Sequence, residues 1–430
     1  MKKYFIFLAS AAMLLAASCA KEEVNDGLVG EKELITVQLN PETKTALGAE
    51  GTTTWTSGDA VDVIVDGNNV GTLTLVEGST FSGELTTVGL TGEATLKYPA
   101  GVAAVPAEQE AVEGSFANGA ALLEGTVDLD VLRAGEGATL ANKTALLQFS
   151  VAVAGDVTFT LGEATYTVTG CEAGPTYYAC VAPVEGKLSY TVGIVLGANG
   201  KENFAPEANK VYELGALALK DSMYGVVGSH NSWTDDLMYE TTKDNFFVSY
   251  GVTFSAASEF KIRKAGGWYD DYNFGSVGST TRATNSVVGV YTDGGSSNIK
   301  VNAGTYDIYF DRLAGQVYIM EPGKSYTEAV QPTTSSYYSL AGSFTGGGWD
   351  DTVAMKYSGD GIWTNVQDFA VNNEFKVKNK GNWDASWGYD NVYPGQGLVS
   401  NSNGNAKLKA SGTYIVGFYK TGNKITLVKK

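Results

Sequence analysis

Apolar and polar residues alternate along this chain in short bursts. The first burst is Leu34-Ile35-Thr36-Val37-Gln38-Leu39; Val61-Asp62-Val63-Ile64-Val65 and residues 71–75 and 94–98 continue in the same manner. A period of two sends successive side chains to opposite faces of a strand, so each burst predicts a half-buried β-strand. Turn signals such as Asp66-Gly67-Asn68 separate the bursts, and no long helical period is present. Many short strands at regular spacing predict an all-β fold of tandem β-sandwich domains.

A longer repeat overlies this pattern in the last half. Phe260-Lys261-Ile262-Arg263, a turn at Ala265-Gly266-Gly267, then Trp268 and Tyr272 form one copy. Phe375-Lys376-Val377-Lys378, a turn at Lys380-Gly381-Asn382, then Trp383 and Trp387 form the other. Gly225-Val226-Val227-Gly228-Ser229 matches Ser339-Leu340-Ala341-Gly342-Ser343, and Ala303-Gly304-Thr305-Tyr306 matches Ser411-Gly412-Thr413-Tyr414. Three anchors in the same order identify a duplication. Near Lys220 the composition also shifts towards Tyr, Trp, Asn and Asp. The expected organisation is a β-sandwich region over 33–219, a first module over 221–321, a linker over 322–336 and a second module over 337–430.

Within each copy, alternation turns Phe260 and Ile262, or Phe375 and Val377, towards the core. Lys261 and Arg263, or Lys376 and Lys378, are left on the outer face beside the aromatic pair. Flat rings bordered by long donors suit a pyranose, whose C–H face meets the negative ring face while its hydroxyls meet the cations. Each such contact is worth ~1 kcal/mol, so duplication raises avidity. The same tryptophans would also mark a repeated core. Trp233 and Trp349, in the loops after the Gly-Ser pairs, either complete the platform or lid the sandwich, whereas Trp363 and Trp55 read as core. Asp235-Asp236 and Asp350-Asp351 read first as turn formers, with a calcium site or rim acceptors for sugar hydroxyls as the alternatives; nothing matches an EF-hand spacing, so no metal ligand is assigned and no cofactor is expected.

The N-terminus changes the picture of where this happens. Lys2 and Lys3 precede an apolar run over 4–17 that is too short to span a membrane, and Leu15-Ala16-Ala17-Ser18-Cys19 reads as a lipobox. Residues 1–18 are therefore a lipoprotein signal peptide, Cys19 the lipidated residue, and 19–32 a flexible tether. With 47 acidic against 30 basic residues and a net charge of −17, nucleic acid is not a partner. His230 is the only histidine, which leaves histidine-based nucleophilic catalysis without support, and no enzyme activity is expected. Beyond Cys19, the cysteines are Cys171 and Cys180, which either close a hairpin disulfide or lie as buried thiols.

Two resemblances follow from these motifs. Lys44-Thr45-Ala46-Leu47, Thr54-Trp55-Thr56-Ser57-Gly58-Asp59-Ala60-Val61, residues 142–149 and Val211-Tyr212-Glu213-Leu214-Gly215 make residues 33–219 resemble the fimbrillin-like (Mfa-like) lipoproteins. Residues 223–430, through the Gly-Ser pairs, the Phe-Lys-[Ile/Val]-[Arg/Lys] strand, the loop tryptophan and the Gly-Thr-Tyr strand, resemble the SusE/SusF outer-membrane starch-binding lipoproteins. That resemblance implies starch oligosaccharides held without hydrolysis by Trp268, Tyr272 and Lys261 or Arg263, and by Trp383, Trp387 and Lys376 or Lys378. It also implies an outer-membrane protein facing the cell exterior, working beside a TonB-dependent importer. Ala20-Lys21-Glu22-Glu23 is similar to the acidic export signal of such lipoproteins. Family members usually begin with an immunoglobulin-like spacer, so the fimbrillin-like N-terminal region leaves the glycan open and keeps an adhesin or pilus-related subunit as the alternative.

Overall fold

The computed structural model describes residues 31–41, 55–269, 272–278, 280–292, 296–331, 337–345, 349, 353–394 and 396–430. The expected signal peptide, Cys19, Lys44-Thr45-Ala46-Leu47, Asp350 and Asp351 lie outside them, as do residues 332–336 of the expected linker. The described chain is nearly all β and divides into two compact units, the first drawn from Met1–Glu42, Thr54–Val102 and Leu123–Ala141.

The first unit is a closed barrel rather than the expected sandwich. Seven strands follow one another around it: Glu33–Pro41, Thr80–Leu85, Asn68–Glu77, Ala60–Val65, Glu93–Tyr98, Leu123–Asp128 and Ala138–Asn142. Closure comes from the length of the first strand. Its residues up to Gln38 pair antiparallel with Thr80–Leu85, while Leu39, Asn40 and Pro41 pair in parallel with Ala138, Thr139 and Leu140. Alternate residues Ile35, Val37, Leu39, Val61, Val63, Leu73, Phe81 and Leu96 are buried, as a small side-chain-filled barrel requires. Trp55 packs as a core residue does, edge-on to Phe81 and Tyr98, with its Nε1–H donating to the Leu39 carbonyl at 2.7 Å. Asp59 accepts from the Thr56 amide at 2.7 Å, an Asx-type role.

The second unit begins with a two-sheet sandwich. Phe149, Ala179 and Val181 of one sheet meet Val157, Phe159, Val168 and Leu188 of the other. Of the two readings for the cysteines, the structure holds free buried thiols, and the disulfide is absent. Cys171 belongs to the sandwich interior, whereas Cys180 lies between Ala179 and Val181, which face that interior. Alternation therefore turns Cys180 to the other side of its sheet. Burial pushes the Cys171 thiol up to about 11 and raises Cys180 as well.

Residues 221–320 form a ring of eight strands, closed where Tyr224–Gly228 pairs with Phe260–Lys264. Residues 338–429 repeat most of these strands but form two open sheets. The ring is interrupted at two places. Asp236–Glu240 pairs on both sides in the first copy, whereas Val353–Ala354 belongs to one sheet of the second copy and Lys356–Gly359 to the other. The second interruption lies in one strand. Ser286–Thr292 bridges Asn273–Ser276 and Gln316–Met320 in the first copy. At the matching place in the second copy a 3-10 turn, Tyr389–Asn391, precedes a single parallel bridge from Val392 to Ile425.

The repeated anchors have mechanical explanations. A Cβ on Gly228 would stand 2.4 Å from the Glu259 carbonyl oxygen, and one on Gly342 2.1 Å from that of Glu374. Ser229 and Ser343 then accept from the Glu259 and Glu374 amides at 3.2 and 2.9 Å. Tyr306 and Tyr414, both buried, donate to carbonyls four residues back. Trp363 is core, 6 % exposed.

Candidate functional site

The Ser258–Lys264 strand places the first candidate site. Phe260 and Ile262 are buried in the core cluster, as alternation requires. The opposite face, expected to be open, is covered: Lys261 and Arg263 are only 6 % and 7 % exposed. Lys261 extends to the Ser296 hydroxyl at 3.0 Å. Arg263 instead lies under the loop aromatics, its Cζ 4.4 Å from the centroid of the Trp268 ring.

Trp268, half exposed, pairs with Trp233 rather than with Tyr272. The Trp233 and Trp268 ring centroids are 5.9 Å apart and the planes are inclined by 50°. Tyr272 lies partly buried against the core, with Lys264 Nζ 5.1 Å from its ring centroid. Tyr269, also half exposed, is a site neighbour that spacing did not single out; its only signal was adjacency to Trp268.

The loop carrying Trp233 is tightly determined. Ser232 and Trp233 have φ of 56° and 62°, left-handed values that cost non-glycine residues of order 1–3 kcal/mol each. Asn231 offsets that strain: its amide donates to the Val226 and Thr234 carbonyls at 3.0 and 2.9 Å and accepts from the Gly228 amide at 3.0 Å. The Trp233 amide donates to Gly228 at 2.8 Å, and its carbonyl accepts from Arg263 Nη2 at 3.3 Å. Asp235 accepts from Arg263 Nε at 2.8 Å and from the Gly266 amide at 2.9 Å, joining both loops to the strand. Burial opposes ionisation of Asp235, but those bonds and the Arg263 charge prevail and hold its carboxyl below the ordinary range.

The second module builds the same figure. Trp349 and Trp383 have centroids 6.1 Å apart and planes inclined by 58°, and Trp383 is 46 % exposed. Lys378, 3 % exposed, sets its Nζ 3.9 Å from the Trp383 centroid. Trp387 is not its partner. The register between the two strands skips from Ser386 to Asn382, and this bulge puts Trp387 opposite Val377, on the core side. There it packs 4.6 Å from Phe418, with Lys420 Nζ 5.0 Å from its centroid. Lys376 lies beside Gly388.

Of the residues singled out by sequence, the structure thus brings together Trp233, Trp268 and Arg263, and Trp349, Trp383 and Lys378. It sends Lys261, Tyr272, Lys376 and Trp387 elsewhere. Each cluster offers two inclined indole faces with a cation against one of them, a surface that stacks on flat rings having C–H groups on one face.

No protein-family model matches the chain, and no curated protein matches it. Among solved structures it is similar to SusF from Bacteroides thetaiotaomicron, at 15 % identity and a TM-score of 0.19, covering 67 % of this chain and 76 % of that one. It is also similar to a candidate cell adhesion protein from Bacteroides uniformis, at 13 % identity and a TM-score of 0.26, covering 44 % of this chain and 97 % of that one. Likenesses this slight leave the function to be argued from the residues themselves.

Proposed function

We propose that this chain is a non-catalytic surface lipoprotein that binds a neutral polysaccharide, starch or a related α-glucan, on two tandem platforms. The observation that carries the reading is recurrence: a Trp pair inclined by 50° or 58°, with a cation against one ring, stands at equivalent places in both modules. A core role would recur as well, but it would bury the rings, and Trp268 and Trp383 are about half exposed. Inclined rings follow the curve of an α-glucan, stacking on successive sugars. Asp235 neutralises Arg263, and the chain carries a net charge of −17, so acidic polysaccharides are disfavoured. The lipobox at Cys19 anchors the protein to the outer membrane, where capture would feed a TonB-dependent importer.

Affinity electrophoresis in gels containing amylopectin tests this reading. The wild-type protein should be retarded. Trp268→Ala or Trp383→Ala alone should weaken its own site about five- to tenfold, ~1–1.5 kcal/mol, and the double variant should migrate as in a plain gel. Unretarded wild-type protein on every glucan tried would exclude α-glucans.

A further inference from the structure

The first module has a histidine where the second has a phenylalanine. His230 follows Ser229 as Phe344 follows Ser343. His230 meets Phe254 edge-on with centroids 4.6 Å apart at 61°, and Phe344 meets Phe369 in the same way at 4.8 Å and 77°. Phe254 and Phe369 pack in turn on Phe260 and Phe375, the core residues of the repeated strand. The imidazole therefore occupies an aromatic slot, and among the described residues neither Nδ1 nor Nε2, both buried, has a hydrogen-bond partner. A neutral ring fits such a slot at modest cost. An imidazolium would bury a charge and two N–H donors there.

The charges on the surrounding elements do not rescue the protonated form. Phe246–Phe254 carries no Asp, Glu, Lys or Arg, and Asp221 stands at the far end of Asp221–Gly228. On Ser258–Lys264, Lys261 is directed to Ser296 and Arg263 to Asp235; Glu259 and Lys264 complete that strand's charges. Lys300 pairs opposite Glu259. Asp236, just past the loop, does favour a charged imidazole, but burial outweighs it and holds His230 below its ordinary value.

We propose that His230 is an acid-sensitive latch on the loop that carries Trp233 and Asp235. Neutral, it pins the loop to Phe254; protonated, it leaves the slot and the first platform comes apart, while Phe344 keeps the second assembled. The direction follows from linkage. The opened loop binds the proton more tightly, so the latch is complete above the ordinary histidine value of about 6.5 and weakens as pH falls below it. The closed-to-open ratio drops by at most about tenfold per pH unit, the limit for one proton. Left-handed backbone at Ser232 and Trp233 stores strain that opening releases. Asp235, held below its ordinary range, stays ionised throughout this window. Only the consequence for sugar rests on the glycan reading.

Because the chain has one histidine, a full-length protein without a histidine tag gives one imidazole C2-proton signal. Its titration midpoint should fall below about 6.5. Hydrogen exchange, corrected for intrinsic rates, should show the peptide over 229–235 losing protection severalfold between about pH 7 and 5.5, while the peptide over 339–345 does not. His230→Phe should abolish the loss, and Phe344→His should transfer it to the second module. A midpoint at or above the ordinary value, or a loss that persists in His230→Phe, would overturn the latch. Amylopectin retardation at both pH values separates the two proposals: no retardation anywhere sinks the glycan and leaves exchange to judge the latch.

Discussion

Arg263 is where strand, loop and ring meet. Its guanidinium bonds Asp235 and the Trp233 carbonyl while lying against the Trp268 ring. The arginine fork suits this task, because it can bond in its plane and stack on its face. Asp235→Asn removes the counter-charge from a buried cation, and we expect it to destabilise the protein by about 2 kcal/mol at neutral pH, read as a shift in urea midpoint. The sign with pH is set by the lowered carboxyl of Asp235. Its contribution is full above the ordinary aspartate value of about 3.9 and lost as pH falls through the lower folded one, so the variant's deficit should vanish only in strong acid. Sequence could name Arg263 and Trp268, since both lie in the repeated motif. It ranked Tyr272 above Trp233 because spacing along one segment is visible, whereas the approach of two loops is not.

The elements owe their repetition mostly to mechanics. Gly228 has φ of −174°, an extended value open to any residue, so space and not backbone freedom demands glycine there. Gly228→Ala and Gly342→Ala should each destabilise by roughly 1–3 kcal/mol, measured by denaturant unfolding, although neither touches a ring of the platforms. The strand motif is divided between two duties. Phe260 with Ile262, and Phe375 with Val377, fill cores, while Arg263 and Lys378 serve the site. A two-residue period reveals that division in advance. A bulge breaks it, and the one between the Glu374–Asn379 and Asn382–Trp387 strands separated Trp383 from Trp387, the pair that spacing had joined.

At the scale of the whole molecule, the two C-terminal modules are docked and not merely tethered. Arg282 grips Asp360 through two contacts of 2.9 and 2.8 Å, and Arg312 Nη2 reaches the Lys429 carbonyl at 2.8 Å. Tyr291 stacks on Tyr419 at 4.6 Å and on Tyr393 at 6.1 Å. The part of the expected linker that is described also packs down: Tyr326 lies 4.5 Å from Phe246, and Ala329 is buried. Docking fixes the relation of the two Trp pairs, so on the proposed function a polysaccharide engaging both would lose less freedom than on flexibly joined modules. Burial raises the Asp360 carboxyl even beside Arg282. Arg282→Ala would leave that carboxylate buried and unpaired, a cost of about 3 kcal/mol at neutral pH. Calorimetry should then resolve two transitions for the modules where the parent shows one. Because a raised carboxyl favours its protonated form, lowering the pH through the carboxylate range should narrow the split.

The amino-acid order alone determined the all-β class, the duplication and the residues that supply rings and charge, because a period of two and a repeated motif are local properties. Tertiary structure decided whether the first strand would close a barrel, which two indoles would face each other, and which cation would lie beneath them. Those outcomes depend on contacts between segments far apart in the chain, where one bulge or one loop reverses what the local pattern implies.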